Sequence, residues 1–398
     1  MPTRSYIIYD ADQPQAVSDL THFDQRSTGQ TLAGGDDWSI DFRKLRGGTS
    51  EGVEVVDLCS GPLTVSVLPT RGMGLWRGSI QDEWIGWDSP VWRPVHPQFV
   101  NLAARNGLGW LDGFNELLCR CGLSFNGPPG IDEGAKSPIE SQLTLHGLIA
   151  NKPAHSLEVT IDDAGEGRVA VTGVIDEATV FGPQLRLTST VSVIPGRQEI
   201  EIEDTIENLA GSEAELELLY HINVGRPFLG AGSRLCAPVG EIAPRDGRAA
   251  EGIDEWDTYL GPTTGYSEQA YFMDLRNNPD RETSVLLANA AGDRGFRVRW
   301  SAATLPCFTV WKCTQDEADG YVTGLEPGTN YPNFKSFERD QGRVRRLSPG
   351  GGSYTTSISI GICTTTAAVD AERAAIAAIA GDKSPVIHTV PTHPYSPV

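Results

Sequence analysis

Residues 184–221 read QLRLTSTVSVIPGRQEIEIEDTIENLAGSEAELELLYH, and this stretch decides the fold class. Apolar side chains fall on alternate positions in three runs, 184–193, 199–206 and 214–220, with Arg, Thr, Ser and Glu between them. A period of two sends successive side chains to opposite faces, so each run predicts a strand with one face buried and one wet. Pro195-Gly196-Arg197 and Asn208-Leu209-Ala210-Gly211 separate the runs. These are turn formers, and connections so short join antiparallel neighbours. The stretch is a meander.

The same alternation extends outward from about residue 53 to residue 362, for example in 63–68, 157–161, 168–175, 296–300 and 355–362. It predicts an all-β chain built as a large antiparallel β-sandwich with few peripheral helices. One helix stands out, VDAERAAIAAIAGDK near the C-terminus, Ala-rich and with Gly381 placed for a C-terminal cap. Segment 99–118 reads as a structured loop with short helical turns, and the last fifteen residues, with their prolines, as a tail trailing over the surface. The expected division is an N-terminal extension over 1–50 that adds an edge strand near 5–9, a sandwich over 51–365, and a helix and tail over 366–398.

Composition narrows the function. The 398 residues carry a formal net charge of −20, which repels phosphate backbones and anionic headgroups. Neither a nucleic-acid nor a membrane partner is expected, and a neutral sugar suits the field better than a polyanion. No run has the length of a membrane span, and the first residues lack the apolar core of a signal peptide. Seven scattered cysteines (59, 119, 121, 236, 307, 313, 363) read as mostly buried thiols of a cytoplasmic protein. Cys119-Arg-Cys121 lacks the second pair that a structural zinc site needs, and no metal is expected.

Among seven histidines, His22, His388 and His393 lie in polar or terminal segments, and His96 and His155 suit a pocket rim or a plain surface equally. His146 and His221 differ, because each closes an alternating run, QLTLHG and ELELLYH. The end of a strand in a rigid sheet is a common seat for catalytic groups. Glu326 precedes Pro327-Gly328 in TGLEPGTNYPN, where Asn330, Tyr331 and Asn333 suggest a polar and aromatic sugar site. Asp88 lies between tryptophans in GWDSPVW and either lines the same cleft or caps a turn. Asn223 and Arg226 follow His221 and suit hydroxyl recognition, with Asp274 a weaker candidate. Of Trp311 and Lys312, alternation turns one toward the site and leaves the other in the core.

Several of these motifs resemble the aldose 1-epimerase (galactose mutarotase-like) superfamily. IEDTIENLAGSEAELELLYHINVG resembles the stretch that delivers its catalytic histidine, LHG at 145–147 its first histidine motif, and GLEPGTNYPN its glutamate motif. PTRGMGLWRGSI, FNELLCRCGLSFNGPP, YHINVGRP and GLEPGTNYPN, in that order, resemble a bacterial branch of the superfamily, the DUF4432 type, over roughly residues 50–362. The resemblance implies Glu326 as base and His221 as acid in opening a sugar ring. His146 and Arg71 would orient or polarise the ring oxygen and hydroxyls, and no cofactor is implied. After His221 the chain reads Ile-Asn-Val-Gly where galactose mutarotases carry an aromatic-rich run, which leaves the sugar open. Also open are abstraction of a carbon-bound proton by an isomerase, epimerase or lyase, and carbohydrate binding without catalysis. The partner expected is a small carbohydrate, and a homo-oligomer is allowed.

Overall fold

Alternation along the chain resolves into two large sheets that share one apolar core. The structure, a computed structural model, describes residues 3–14, 18–35, 37–81 and 83–397. The first two strands of the 184–221 stretch lie inside a nine-stranded antiparallel sheet, in which Ser156–Asp162, Arg168–Ala178, Gln184–Val193, Glu199–Asn208 and Ser353–Cys363 are successive neighbours. The third, Ala214–Val224, crosses to the other sheet, which corrects the expected three-strand meander. The second sheet has fourteen strands, and at its centre Leu118–Leu123, Ala214–Val224, Val322–Gly328 and Cys307–Cys313 lie side by side. The sandwich expected from the pattern is therefore the architecture found.

The segment before residue 50 contributes to both sheets. Arg4–Asp10 forms an edge of the nine-stranded sheet against Ser156–Asp162, and Trp38–Lys44 pairs with Glu54–Ser60 in the larger one. The predicted helix spans Thr366–Ala380 and buries Val369 and Ile376 against Leu286, Ala288 and Cys363. Gly381 ends it at φ 61°, a left-handed backbone that favours glycine. The tail corrects the expectation of a surface trail. Val386–Ile387 pairs in parallel with Val239–Pro244, and Tyr395 and Ser396 are buried. No helix among the described residues is long and apolar enough to cross a membrane.

One transverse row interrupts the apolar inner face of the nine-stranded sheet. Gly173, Ser189, Asp204 and Thr356 pair across four strands where the flanking rows carry Val, Leu and Ile. Arg120 fills the space they leave. Its Nε and Nη2 bond the two oxygens of Asp204 at 2.5 and 2.9 Å, and Nη2 also bonds Ser189 Oγ at 2.7 Å. Nη1 bonds the carbonyls of Gly72 and Met73 at 3.1 and 2.8 Å, which occupies all five donors of the guanidinium. The Tyr220 hydroxyl adds a bond of 2.7 Å to Asp204. Both ions are fully buried, so their desolvation is offset only because each bonding position is filled.

Removing one partner strands the other charge between the sheets. Asp204→Ala should cost about 3–5 kcal/mol of folding stability. Chemical denaturation checks this, and a loss under about 1 kcal/mol, the range of an exposed pair, would show that the ion pair does not hold the sheets together.

Candidate active site

Strand register assembles the site. Ala214–Val224 sends Leu216, Leu218, Tyr220, Ile222 and Val224 into the core between the sheets. The alternate residues, Leu219, His221 and Asn223 among them, face the other way. The pairs Leu219↔Gly328 and Ile222↔Leu325 set His221 beside Glu326, while Cys119 lies across from His221 and Thr309 across from Glu326. One row thus reads Cys119, His221, Glu326, Thr309 over four strands. Glycine keeps the surroundings of Glu326 open, since a Cβ on Gly324 would sit 2.3 Å from Glu326 Oε1.

His146 reaches the row by another route. The expected strand stops at Leu143, and His146 sits in a turn with φ 58°, followed by Gly147 at φ 73°. A side chain on Gly147 would meet the carbonyl oxygens of Phe125 and Gly122 at 2.2 and 2.4 Å, so only glycine permits this approach. The His146 ring lies 5.6 Å from that of His221, and its Nδ1 donates to Asn126 O at 2.8 Å.

The long connection between Ile85 and Leu118 covers this face. It supplies Trp87, Trp110 and Phe114, with Phe114 5.1 Å from His221 and Trp110 4.7 Å from His146, ring to ring. Trp311 closes the other side, 5.4 Å from His221, with its Nε1 on Glu268 Oε2 at 2.5 Å. His221 and Glu326 are consequently 5% and 3% exposed. Their Nε2 and Oε1 atoms lie 3.3 Å apart, without the alignment of a hydrogen bond, and His221 Nδ1 and Glu326 Oε1 have no bonding partner.

Burial sets the protonation of this pair. It pushes the Glu326 carboxyl up to about 8 against the pull of His146, with Cys121 and Glu268 adding to the rise. It also holds the His221 imidazole down at about 3, and the charge of His146 lowers it further. Near neutral pH Glu326 therefore keeps its proton and His221 is uncharged. For His146 and Cys121, burial opposes charge but their mutual attraction prevails. His146 is raised and Cys121 lowered, toward an imidazolium beside a thiolate, and a bond from Cys119 also favours the Cys121 thiolate.

The structure brings His146, His221, Glu326 and Trp311 together, with Asn223 buried alongside. Asn223 Nδ2 bonds Glu116 O and His221 O, while its Oδ1 has no partner. Other candidates lie elsewhere. Arg71, expected to bind sugar, is 1% exposed and spends four of its five donors on Glu116, Val95 O, Asn151 and Gly113 O. It clamps the covering connection to the sheet. Lys312 is the core-facing member of its pair, held by Glu255 O and Thr258 O at 2.8 and 2.7 Å. Arg226 is exposed and paired with Glu317, Asp274 is exposed, and Asp88 lines a separate groove. Asn330 and Asn333 bond Asn126 and Glu338, and Tyr331 packs on Phe272, so these three buttress the fold. His155 pairs with Asp176, and all seven cysteines are free thiols.

Sequence reading missed Trp110 and Phe114, which lay in a segment without periodicity, and Cys121. Alternation in FNELLCRCG does set Cys119 and Cys121 on one face, but nothing local shows that His146 crosses to meet them. Among the described residues no group of three or more His, Cys, Asp and Glu is arranged to hold a metal ion.

Comparison with known proteins agrees with this architecture. A Klebsiella pneumoniae protein of known crystal structure, provisionally called an aldose 1-epimerase, is 32% identical, with a TM-score of 0.91 over 98% of this chain and 99% of that one. A galactose mutarotase-like protein from Clostridium acetobutylicum gives 14% identity and a TM-score of 0.53 over 83% of this chain and 99% of that one. A protein from Escherichia coli K12, also provisionally called an aldose 1-epimerase, gives 11% and 0.51 over 78% and 99%. At such identities the latter two share the fold alone. No curated protein matches the sequence. The model of a domain of unknown function, DUF4432, matches residues 50–362, and the chain belongs to that family, on a galactose mutarotase-like fold.

Proposed function

We propose that the protein interconverts the anomers of a free sugar, with His221 and Glu326 moving the protons of ring opening. One observation carries the reading. A buried imidazole and a buried carboxyl stand 3.3 Å apart on adjacent strands, the first able to accept a proton and the second to give one. The names given to the Klebsiella and Escherichia relatives agree with it.

In this mechanism neutral His221 takes the proton of the anomeric hydroxyl as the C1–O5 bond breaks. The bonding electron pair goes to O5, which takes the proton of Glu326. The C1–C2 bond turns in the open aldehyde, and the ring closes on its other face as both protons return. The resemblance implied the reverse assignment, with Glu326 as base and His221 as acid. The two assignments are tautomers of a pair that holds one proton, and burial favours the uncharged one. Trp311, partly exposed beside His221, offers stacking surface for the sugar. Asn223, buried beside His221, pulls the imidazole back up against burial and so strengthens it as the proton acceptor. The His146 imidazolium would offset negative charge developing on a substrate oxygen.

Exchange between anomers of a panel of aldoses and ketoses, followed by NMR, tests the reading. The wild type should accelerate exchange of at least one sugar, and Glu326→Gln should lower that rate about 10²–10⁴-fold with the melting temperature kept. A fully active variant would remove Glu326 from the mechanism. Solvent deuterium appearing at C2 would instead favour proton abstraction from carbon.

The pH profile follows from the same pair. Below about 3 His221 becomes protonated and cannot accept, and above about 8 Glu326 is ionised and cannot donate. The rate constant should hold through neutral pH and fall as pH rises through about 8. A profile that climbs through that point would require ionised Glu326 as the base.

A further inference from the structure

We infer that the protein carries a second saccharide site, a surface groove that binds a neutral pyranose ring outside the His221–Glu326 centre. The groove encloses about 500 Å³, within the range of small-molecule sites. Four of the nine tryptophans, Trp76, Trp84, Trp87 and Trp92, line it. Trp92 is 81% exposed and Trp84 36%. Indole faces left in water cost solvation that a packed fold avoids, whereas they stack well on the C–H face of a sugar.

The polar groups in the groove match the same ligand. The Arg77 guanidinium lies 3.9 Å from the Trp76 ring centroid and 5.2 Å from that of Trp84. It has no hydrogen-bond partner among the described residues. Asp88, exposed, adds a free carboxylate acceptor. Asn115, 4% exposed, bonds Val91 O through its Nδ2 while its Oδ1 is buried without a partner. A buried acceptor left open costs about 1–3 kcal/mol unless something donates to it. A sugar hydroxyl does so. One guanidinium and one carboxylate balance in charge, and Glu317 at the rim is already paired with Arg226, which favours a neutral ring over a sugar acid. Trp87 belongs both to this groove and to the cover of the catalytic row, its ring 5.1 Å from that of Phe114.

The site does not depend on the proposed reaction and is tested apart from it. Methyl α-d-glucopyranoside, methyl β-d-galactopyranoside, methyl α-maltoside and methyl β-cellobioside have no free anomeric hydroxyl and cannot open their rings, so they report binding without turnover. Tryptophan fluorescence and saturation-transfer NMR would follow titration of the wild type, Glu326→Gln and Trp92→Ala. Saturable binding of at least one probe is expected, equal in the wild type and Glu326→Gln and weakened about tenfold in Trp92→Ala, the loss of one stacked ring. Anomer exchange of monosaccharides should be unchanged in Trp92→Ala. No binding of any probe, or binding that Trp92→Ala leaves intact, overturns the groove. So does binding that Glu326→Gln abolishes, which would place it at the catalytic row. Groove binding in a protein without anomer exchange would sustain this inference and end the proposed reaction.

Discussion

The contact between Arg120 and Asp204 is the constraint from which the rest of the structure follows. It joins the centre of the fourteen-stranded sheet to the centre of the nine-stranded one. It also fixes which way two strands face. With Arg120 and Tyr220 turned inward to Asp204, alternation turns Cys119, Cys121 and His221 outward, toward the face where Glu326 lies. A shift of one residue along Ala214–Val224 would put His221 in the apolar core and Tyr220 on the face where Glu326 lies. A fully bonded buried ion pair penalises such a shift more sharply than apolar packing does, because a displaced guanidinium would lose every acceptor at once.

Outside the sheet, a second buried arginine does a comparable task. Arg71 ties Val95, Gly113, Glu116 and Asn151 to one guanidinium, which sets the connection bearing Trp87, Trp110 and Phe114 over the row of Cys119, His221, Glu326 and Thr309. This cover excludes water from His221 and Glu326, and their protonation follows from that exclusion. In water the same imidazole and carboxyl would titrate near their ordinary values and would sit near neutral pH as an ionised carboxylate beside a largely neutral imidazole. Buried together, they keep one transferable proton in an uncharged pair. Against burial, Cys121 holds its charge through the bond from Cys119 and the neighbouring His146, and His146 holds its charge through Cys121 and the Asn126 carbonyl.

The fold was legible because a period of two needs no tertiary information: QLRLTSTVSV and QEIEIEDTIEN declare their buried faces unaided. Asp204 was visible as a break in that rhythm, but its partner, 84 residues away, was not. His221, Glu326 and Trp311 could be read as candidates because each belongs to a strand pattern or a motif. His146 reads in sequence as a strand end, but it comes beside His221 through a glycine-dependent turn that no local pattern shows. Arg71, Lys312, Arg226 and Asp88 show where sequence stops being informative. An arginine or lysine among glycines and aromatics looks alike whether its donors meet a ligand or backbone carbonyls, and only packing decides. Trp110 and Phe114 sit in a segment with no period, so no pattern pointed to them.

The central claim is that burial leaves His221 and Glu326 sharing one proton without separated charge. Infrared difference spectroscopy of the wild type against Glu326→Gln at neutral pH addresses it directly, since protonated and ionised carboxyls absorb in distinct regions. The account predicts that the wild type shows a protonated carboxyl band absent from the variant, and that this band is lost as pH rises through about 8. A difference spectrum containing only carboxylate bands at neutral pH would contradict it.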